Sequence, residues 1–219
     1  MLTILIPAYN EEETIKATIE SLRTIPEVQK ICVVDDGSKD NTFLEAKKAD
    51  PDVLIKSEGN LGKGGALNRL IEYVDTPFVG MVDADLGQSA VELRKLISPV
   101  LNGNYDLSIA GFPKKKKGGL GITMKVAKKG TKLKTGLDFD FPLSGQRVMS
   151  LDVFKACTPF AQGFGVETFM NLIVAKKKYR FIEVDTNMSH RYTANDFKGY
   201  VHRGRQCLAI LSQLARGVK

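Results

Sequence analysis

The stretch LTILIPAYNEEETIKATIESLR, residues Leu2 to Arg23, changes its periodicity halfway along. Leu2–Pro7 is a short apolar run of strand length, whereas Ile15, Ile19 and Leu22 recur at helical spacing. The segment predicts a strand ending near Pro7 and a helix over Glu11–Arg23. Asn10 is expected to cap that helix, with Glu11, Glu12 and Glu13 favourably placed in its first turn. The same alternation continues downstream. Lys30–Asp35 reads as a β-branched strand, Asp40–Ala49 as a helix, and Val53–Lys56 as a third strand. Gly62–Val74 reads as a helix with Leu67, Leu70, Ile71 and Val74 on its apolar side. A strand over Pro77–Val82, a helix over Ser89–Leu101 and a strand over Tyr105–Ala110 follow. Strands alternating with helices of this length predict an α/β fold, a Rossmann-like, mostly parallel sheet with helices on both faces.

Ligands of such sheets bind beyond the carboxyl ends of the strands, and the polar clusters fall there. Pro7-Ala8-Tyr9-Asn10-Glu11 follows the first strand, Asp35-Asp36-Gly37-Ser38 ends the second, and Asp83-Ala84-Asp85 ends the fourth. Asp83 and Asp85 repel each other, so a metal ion, a basic side chain or water must compensate. On an extended backbone the two side chains point the same way. Two hard oxygen donors suit Mg²⁺ or Mn²⁺, and a solvated strand end is the plainer alternative. The run GNLGKGGALNRL, Gly59 to Leu70, is a glycine-rich turn opening a helix with Lys63 at its mouth. Glycines let a ligand approach the backbone, and a helix N-terminus favours anions; a helix start with flexible glycines is the alternative. The spacing fits neither the Walker loop nor the dinucleotide fingerprint, so neither ATPase nor dehydrogenase follows.

The 219 residues suffice for one generous domain, and 43% hydrophobic with 26% charged residues is a globular composition. The opening apolar stretch is short and lacks the basic leader of a signal peptide. No apolar run approaches the roughly 18–20 residues of a membrane-spanning helix. Three cysteines, Cys32, Cys157 and Cys207, are far apart and read as reduced thiols of a cytoplasmic protein. The formal charge is +7, but nine lysines lie between Pro113 and Thr135 with no acid among them: Lys114, Lys115, Lys116, Lys117, Lys125, Lys128, Lys129, Lys132 and Lys134. Without those nine charges the rest of the chain carries −2. The basic character is a local patch that either meets a polyanionic partner or forms a solvated loop. Leu120, Ile122, Met124 and Val126 interleave with the lysines, and the pattern fits a helix or a strand. Few aromatics do so, which leaves a non-catalytic nucleic-acid binder with little support. Past this segment the sequence predicts an element in Phe141–Met149, a helix near Val166–Lys178 and a strand over Tyr179–Asp185. A C-terminal amphipathic helix carries Leu208, Ile210, Leu211 and Leu214, for packing on the core, pairing in a homodimer or touching lipid.

ILIPAYNEEETI, VVDDGSKDNT, NLGKGGALN and MVDADLG occur together in an order and spacing that resemble the family-2 glycosyltransferases of the nucleotide-sugar-binding GT-A fold. The resemblance is strong over residues 1 to about 110. The later PLSGQRVM, GFGVE and MSHRY segments are similar to polyprenyl-phosphate sugar transferases and glucosyl-3-phosphoglycerate synthase-like enzymes. It implies a nucleotide-sugar-binding half over 1–110 and an acceptor-binding half over 111–219, the latter carrying the basic segment 113–135. Pro7, Ala8, Tyr9 and Glu11 would line the base and ribose pocket. Asp35 or Asp36 would accept a hydrogen bond from the base, Gly62 and Lys63 would sit near the nucleotide, and Asp83 and Ala84 near the ribose. Asp85 and His190 would hold a Mg²⁺ or Mn²⁺ that bridges the diphosphate. Arg147, Arg191 and Arg203 are cations for the leaving group or the acceptor phosphate, with surface solubility as the alternative for Arg203. Ser144, Gly145 and Glu167 would face the acceptor, Glu167 at the place where relatives position the acceptor, sometimes with a carboxylate base. The donor implied is a nucleotide sugar, uridine-linked, and the acceptor a polyprenyl phosphate or a small phosphorylated acid such as 3-phosphoglycerate. Anionic lipid would attract the segment Lys114–Lys134, for a protein peripheral at the inner membrane face.

Overall fold

The computed structural model describes residues 1–112, 121–161, 163, 165–189, 212, 214 and 215. Seven strands form one sheet in the order β3-β2-β1-β4-β6-β5-β7. They are β1 (Leu2–Ala8), β2 (Val28–Asp35), β3 (Val53–Lys56), β4 (Phe78–Met81), β5 (Leu107–Gly111), β6 (Arg147–Ser150) and β7 (Phe181–Asp185). All pairings are parallel except those of β6, which is antiparallel to both β4 and β5. β1 lies inside the sheet between β2 and β4, and its near-continuous burial is that of a parallel strand covered on both faces.

Helices cover the two faces as the period-two alternation of β1 demands. Ile4 and Ile6 meet Ile15, Ile19 and Leu22 of α1 (Ile15–Arg23) and Leu96, Ile97 and Val100 of α4 (Arg94–Leu101). Leu5 turns to the other face, among Leu67 of α3 (Gly62–Asn68), Val153 and Phe154 of α6 (Leu151–Cys157), and Met170 and Ile173 of α7 (Val166–Lys176). The short helix α2 (Thr42–Lys48) and the lysine-rich α5 (Gly121–Thr135) complete the described set. Within the basic segment 113–135, α5 is thus helical, and residues 113–120 lie outside the described ones. Of the C-terminal amphipathic segment, Leu214 is described; it is buried against Ala127 and Leu172. Among the described residues no helix is long and apolar enough to cross a membrane.

Several boundaries differ from the sequence reading, each for a local reason. Asn10 does not cap α1, which begins at Ile15. Its backbone is left-handed, φ 56°, a conformation asparagine tolerates better than most residues. There its N–H donates to Ser38 Oγ (2.9 Å), and its Oδ1 accepts from the Lys39 N–H (2.9 Å), stitching the loop after β1 to the loop after β2. The helix expected over Gly62–Val74 stops at Asn68, whose side-chain amide forms two hydrogen bonds with the Phe160 backbone. The helix expected over Ser89–Leu101 is a 3₁₀ segment, Gly87–Leu93, followed by α4. α6 was not foreseen; Ser150 caps it, its Oγ accepting from the Val153 N–H.

Candidate active site

The carboxyl ends of β1, β2 and β4 bring Ala8, Asp35 and Met81 to one rim, because β1 pairs with both neighbours in parallel register. Just beyond β2, the Asp36 N–H donates to Ala8 O (2.8 Å). The Asp36 carboxylate accepts from the Leu61 and Gly62 N–H groups at 2.8 and 2.9 Å, closing the glycine-rich turn over the strand ends. Gly62 has φ 74°, so the turn needs glycine there. Burial pushes the Asp36 carboxyl above the usual aspartate value, although those two amides pull it down. Asp35 differs. Its Oδ1 accepts from the Ser38 N–H (2.9 Å), but its buried Oδ2 has no hydrogen-bond partner among the described residues. A buried carboxylate oxygen left unpaired is costly unless a ligand donor meets it. Tyr9 is exposed beside this cluster in sequence, with Pro7 and Glu11 half-buried.

One acid of the pair after β4, Asp83, is compensated by a basic side chain. β4 ends at Met81 and residues 84 and 85 form a turn, so the extended backbone that would aim Asp83 and Asp85 alike is not present. Lys63 Nζ lies 2.6 Å from Asp83 Oδ1 and 2.6 Å from Glu167 Oε1, at the start of α7. Gln146 Nε2 donates to Asp83 Oδ2 at 2.7 Å. Burial opposes the Lys63 charge, but the two carboxylates outweigh it and hold its pKa above the ordinary lysine value. As arranged, the cluster leaves no room for a side chain at residue 145, which is glycine. A Cβ there would lie 2.4 Å from Lys63 Nζ and 2.6 Å from Asp83 Oδ2. The turn carrying Asp85 is itself fixed by α1: Thr18 Oγ1 donates to Ala84 O (2.9 Å) and accepts from the Gly87 N–H (2.8 Å).

Arg147 is a correction. It is 0% exposed and its guanidinium is spent on the protein's own acceptors, so it does not face a phosphate. Nε donates to Ser144 O (2.9 Å), Nη1 to Asn171 Oδ1 (2.9 Å) and Nη2 to Pro142 O (3.3 Å). The arginine braces the loop that delivers Ser144, Gly145 and Gln146 to Lys63 and Asp83. Sequence reasoning singled out neither Thr18, Gln146 nor Asn171. Gln146 sits within the quoted PLSGQRVM, and its amide beside two site residues was the available signal. His190, Arg191 and Arg203 lie outside the described residues, as do Lys114 to Lys117. Ser189, the residue before His190, exchanges hydrogen bonds with Ser89 at 3.1 and 3.3 Å, four residues beyond Asp85.

The family described as glycosyl transferase family 2 matches residues 3–157, well over half of the sequence. The chain belongs to that family. As a family-2 member it is a glycosyltransferase, and its fold is GT-A. Glycosyltransferase AglJ of Haloferax volcanii is 31% identical over 199 residues, spanning 88% of this chain. This chain covers 64% of the length of that relative. A UDP-N-acetylglucosamine–dolichyl-phosphate N-acetylglucosaminyltransferase of Methanococcus voltae is 29% identical over 204 residues, 81% of this chain and 80% of that one. Glucosyl-3-phosphoglycerate synthase of Mycobacterium tuberculosis, solved with Mg²⁺ and UDP, superposes with a TM-score of 0.80. It is 23% identical, with 100% of this chain and 80% of that one covered. The same enzyme with Mn²⁺, UDP and phosphoglyceric acid gives a TM-score of 0.80 at 23% identity, over 98% and 78% of the two chains.

Proposed function

We propose that this glycosyltransferase moves a hexose from a UDP-linked donor to the phosphate of a lipid-linked acceptor. The observation that carries the reading is the Lys63 ammonium held between Asp83 and Glu167. It ties the donor rim after β4 to the start of α7, within the acceptor half. In this reading residues 1–110 hold the donor and residues 111–219 the acceptor. Asp35 offers its unpaired Oδ2 to a base N–H, and Pro7, Ala8, Tyr9 and Glu11 border the base and ribose. Asp36 shapes the turn through Leu61 and Gly62. Negative charge grows on the nucleoside diphosphate as the glycosidic bond breaks, and preorganised cations stabilise it. Lys63, Arg191 and Arg203 are the cations for that role and for the acceptor phosphate.

Asp85 and His190 would hold a divalent ion. Mg²⁺ typically takes one or two carboxylates and fills its other positions with substrate phosphates and water. Bound Mg²⁺ or Mn²⁺ would neutralise the diphosphate as it departs. An ionised acceptor phosphate needs no general base. Glu167, with its charge met by Lys63, then serves to orient that lysine, and Ser144 and Gly145 form the adjoining wall.

Radiolabelled UDP-sugar donors, offered with polyprenyl phosphate or with 3-phosphoglycerate, test the assignment. Transfer to the lipid phosphate is expected, lost with a chelator and restored by Mn²⁺. Asp85→Ala is expected to lower kcat/KM by about 10²–10³-fold. Transfer to phosphoglycerate alone would replace the acceptor, and metal-independent transfer unaffected by Asp85→Ala would remove the metal role.

A further inference from the structure

The lysine-rich helix α5 has two faces of opposite character. Ala127 and Thr131, four residues apart, are buried, and Ala127 packs on Leu172 of α7 and on Leu214. Lys125, Lys129, Lys132 and Leu133 are spaced three, four and seven residues apart, so they share the opposite face. All four are exposed, Leu133 to 88%, the highest value of any large hydrophobic residue described. Leu137, past the helix end and after Gly136 with its φ of 73°, is 37% exposed, and Lys134 is exposed between the two leucines in sequence. Two acids lie near: Asp138 pairs with Lys132 (2.7 Å) and Asp140 with Lys128 (2.9 Å). Among the described residues no carboxylate pairs with Lys125, Lys129 or Lys134.

We infer that this outer face of α5 seats the protein on an anionic lipid surface, with Leu133 entering the headgroup boundary and the lysines meeting lipid phosphates. An isolated exposed leucine is ordinary. A leucine amid lysines on the exposed face adds an apolar contact to their attraction for anionic lipid. A nucleic acid would take the charge but leaves Leu133 without purpose, and the face carries no aromatic residue for base stacking. α5 leads within eleven residues of its end to Gly145 and Gln146, so the docked helix is joined by a short segment to the loop that contacts Lys63 and Asp83. The inference gives the lipid-phosphate reading its membrane contact and rests on that reading for its purpose, while its geometry stands apart.

The test is co-sedimentation of the full chain with vesicles of phosphatidylcholine, with and without phosphatidylglycerol, at increasing salt. Binding is expected only to the anionic vesicles and is expected to weaken as salt rises. Lys125→Glu and Lys129→Glu are each expected to weaken it about fivefold or more, and Leu133→Ser about tenfold. All three variants are expected to keep wild-type transfer to a water-soluble short-chain acceptor phosphate. Absence of vesicle binding, or binding indifferent to these substitutions, overturns the inference. So does equal or tighter binding to DNA that ignores Leu133→Ser. Vesicle binding with no transfer to any acceptor would sink the acceptor reading and leave the surface standing.

Discussion

Replacing Lys63 with methionine is expected to lower transfer by about 10²–10³-fold and to destabilise the protein by about 2–4 kcal/mol. The ammonium touches Asp83 and Glu167 at 2.6 Å each. Its removal takes the shared ammonium from two carboxylates that are both mostly out of water. Breaking a buried pair by deleting one partner costs more than the pair ever contributed, because the remaining charge stays desolvated. Methionine keeps the length and apolar bulk of the lysine stem, so packing loss is a minor part of the change. Gly145→Ala approaches the same cluster from outside. Its Cβ would intrude on both Lys63 and Asp83, and overpacking of this kind typically costs about 1–3 kcal/mol. Donor affinity by calorimetry, kcat/KM and thermal unfolding separate the effects. A folded Lys63→Met enzyme with wild-type transfer would remove the lysine from the mechanism.

Arg147→Ala is expected to act on stability first, by about 3–5 kcal/mol. At this chain length that lowers Tm by about 10 °C. Three acceptors each lose a hydrogen bond at once: Ser144 O, Asn171 Oδ1 and Pro142 O. Asn171 Nδ2 still donates to Pro142 O (2.9 Å), so the loop is weakened without being freed. Burial lowers the arginine's pKa from its ordinary value, and those acceptors are what makes the buried charge tolerable. Thermal unfolding and kcat/KM at low temperature tell a brace from a phosphate-binding residue. A brace loses Tm and keeps residual activity within about tenfold in the folded fraction. An unchanged Tm with activity abolished would restore Arg147 to the reacting site.

The donor-side half of the fold was legible because its signals are local. β1, β2 and β4 are apolar runs that end in polar clusters, and parallel pairing in a doubly covered sheet sends those clusters to one rim. Lys63 was legible as a cation at a helix mouth; its partners were only partly so. That it would neutralise Asp83 depends on Gly145 and Gln146, brought in from about sixty residues away by β6. Nothing local announces that a four-residue strand will insert antiparallel between β4 and β5. Arg147 misled for the same reason, since an arginine beside Ser-Gly-Gln looks like a phosphate ligand until the sheet buries it. Asn10 and the end of α3 at Asn68 were misjudged because each asparagine side chain is claimed by a distant backbone. Long-range hydrogen bonds decide such residues, and propensity does not see them. In α5, glycines and β-branched threonines blurred the helical period that packing on α7 imposes.

UDP titrated calorimetrically into the wild-type chain, with Mn²⁺ and then with chelator, bears most directly on the rim as a donor site. The account predicts saturable binding of one UDP per chain that weakens at least tenfold without metal and falls further in Asp35→Asn, which exchanges an unpaired acceptor for an amide. No heat of UDP binding under either condition, from chain whose unfolding transition is intact, would contradict it.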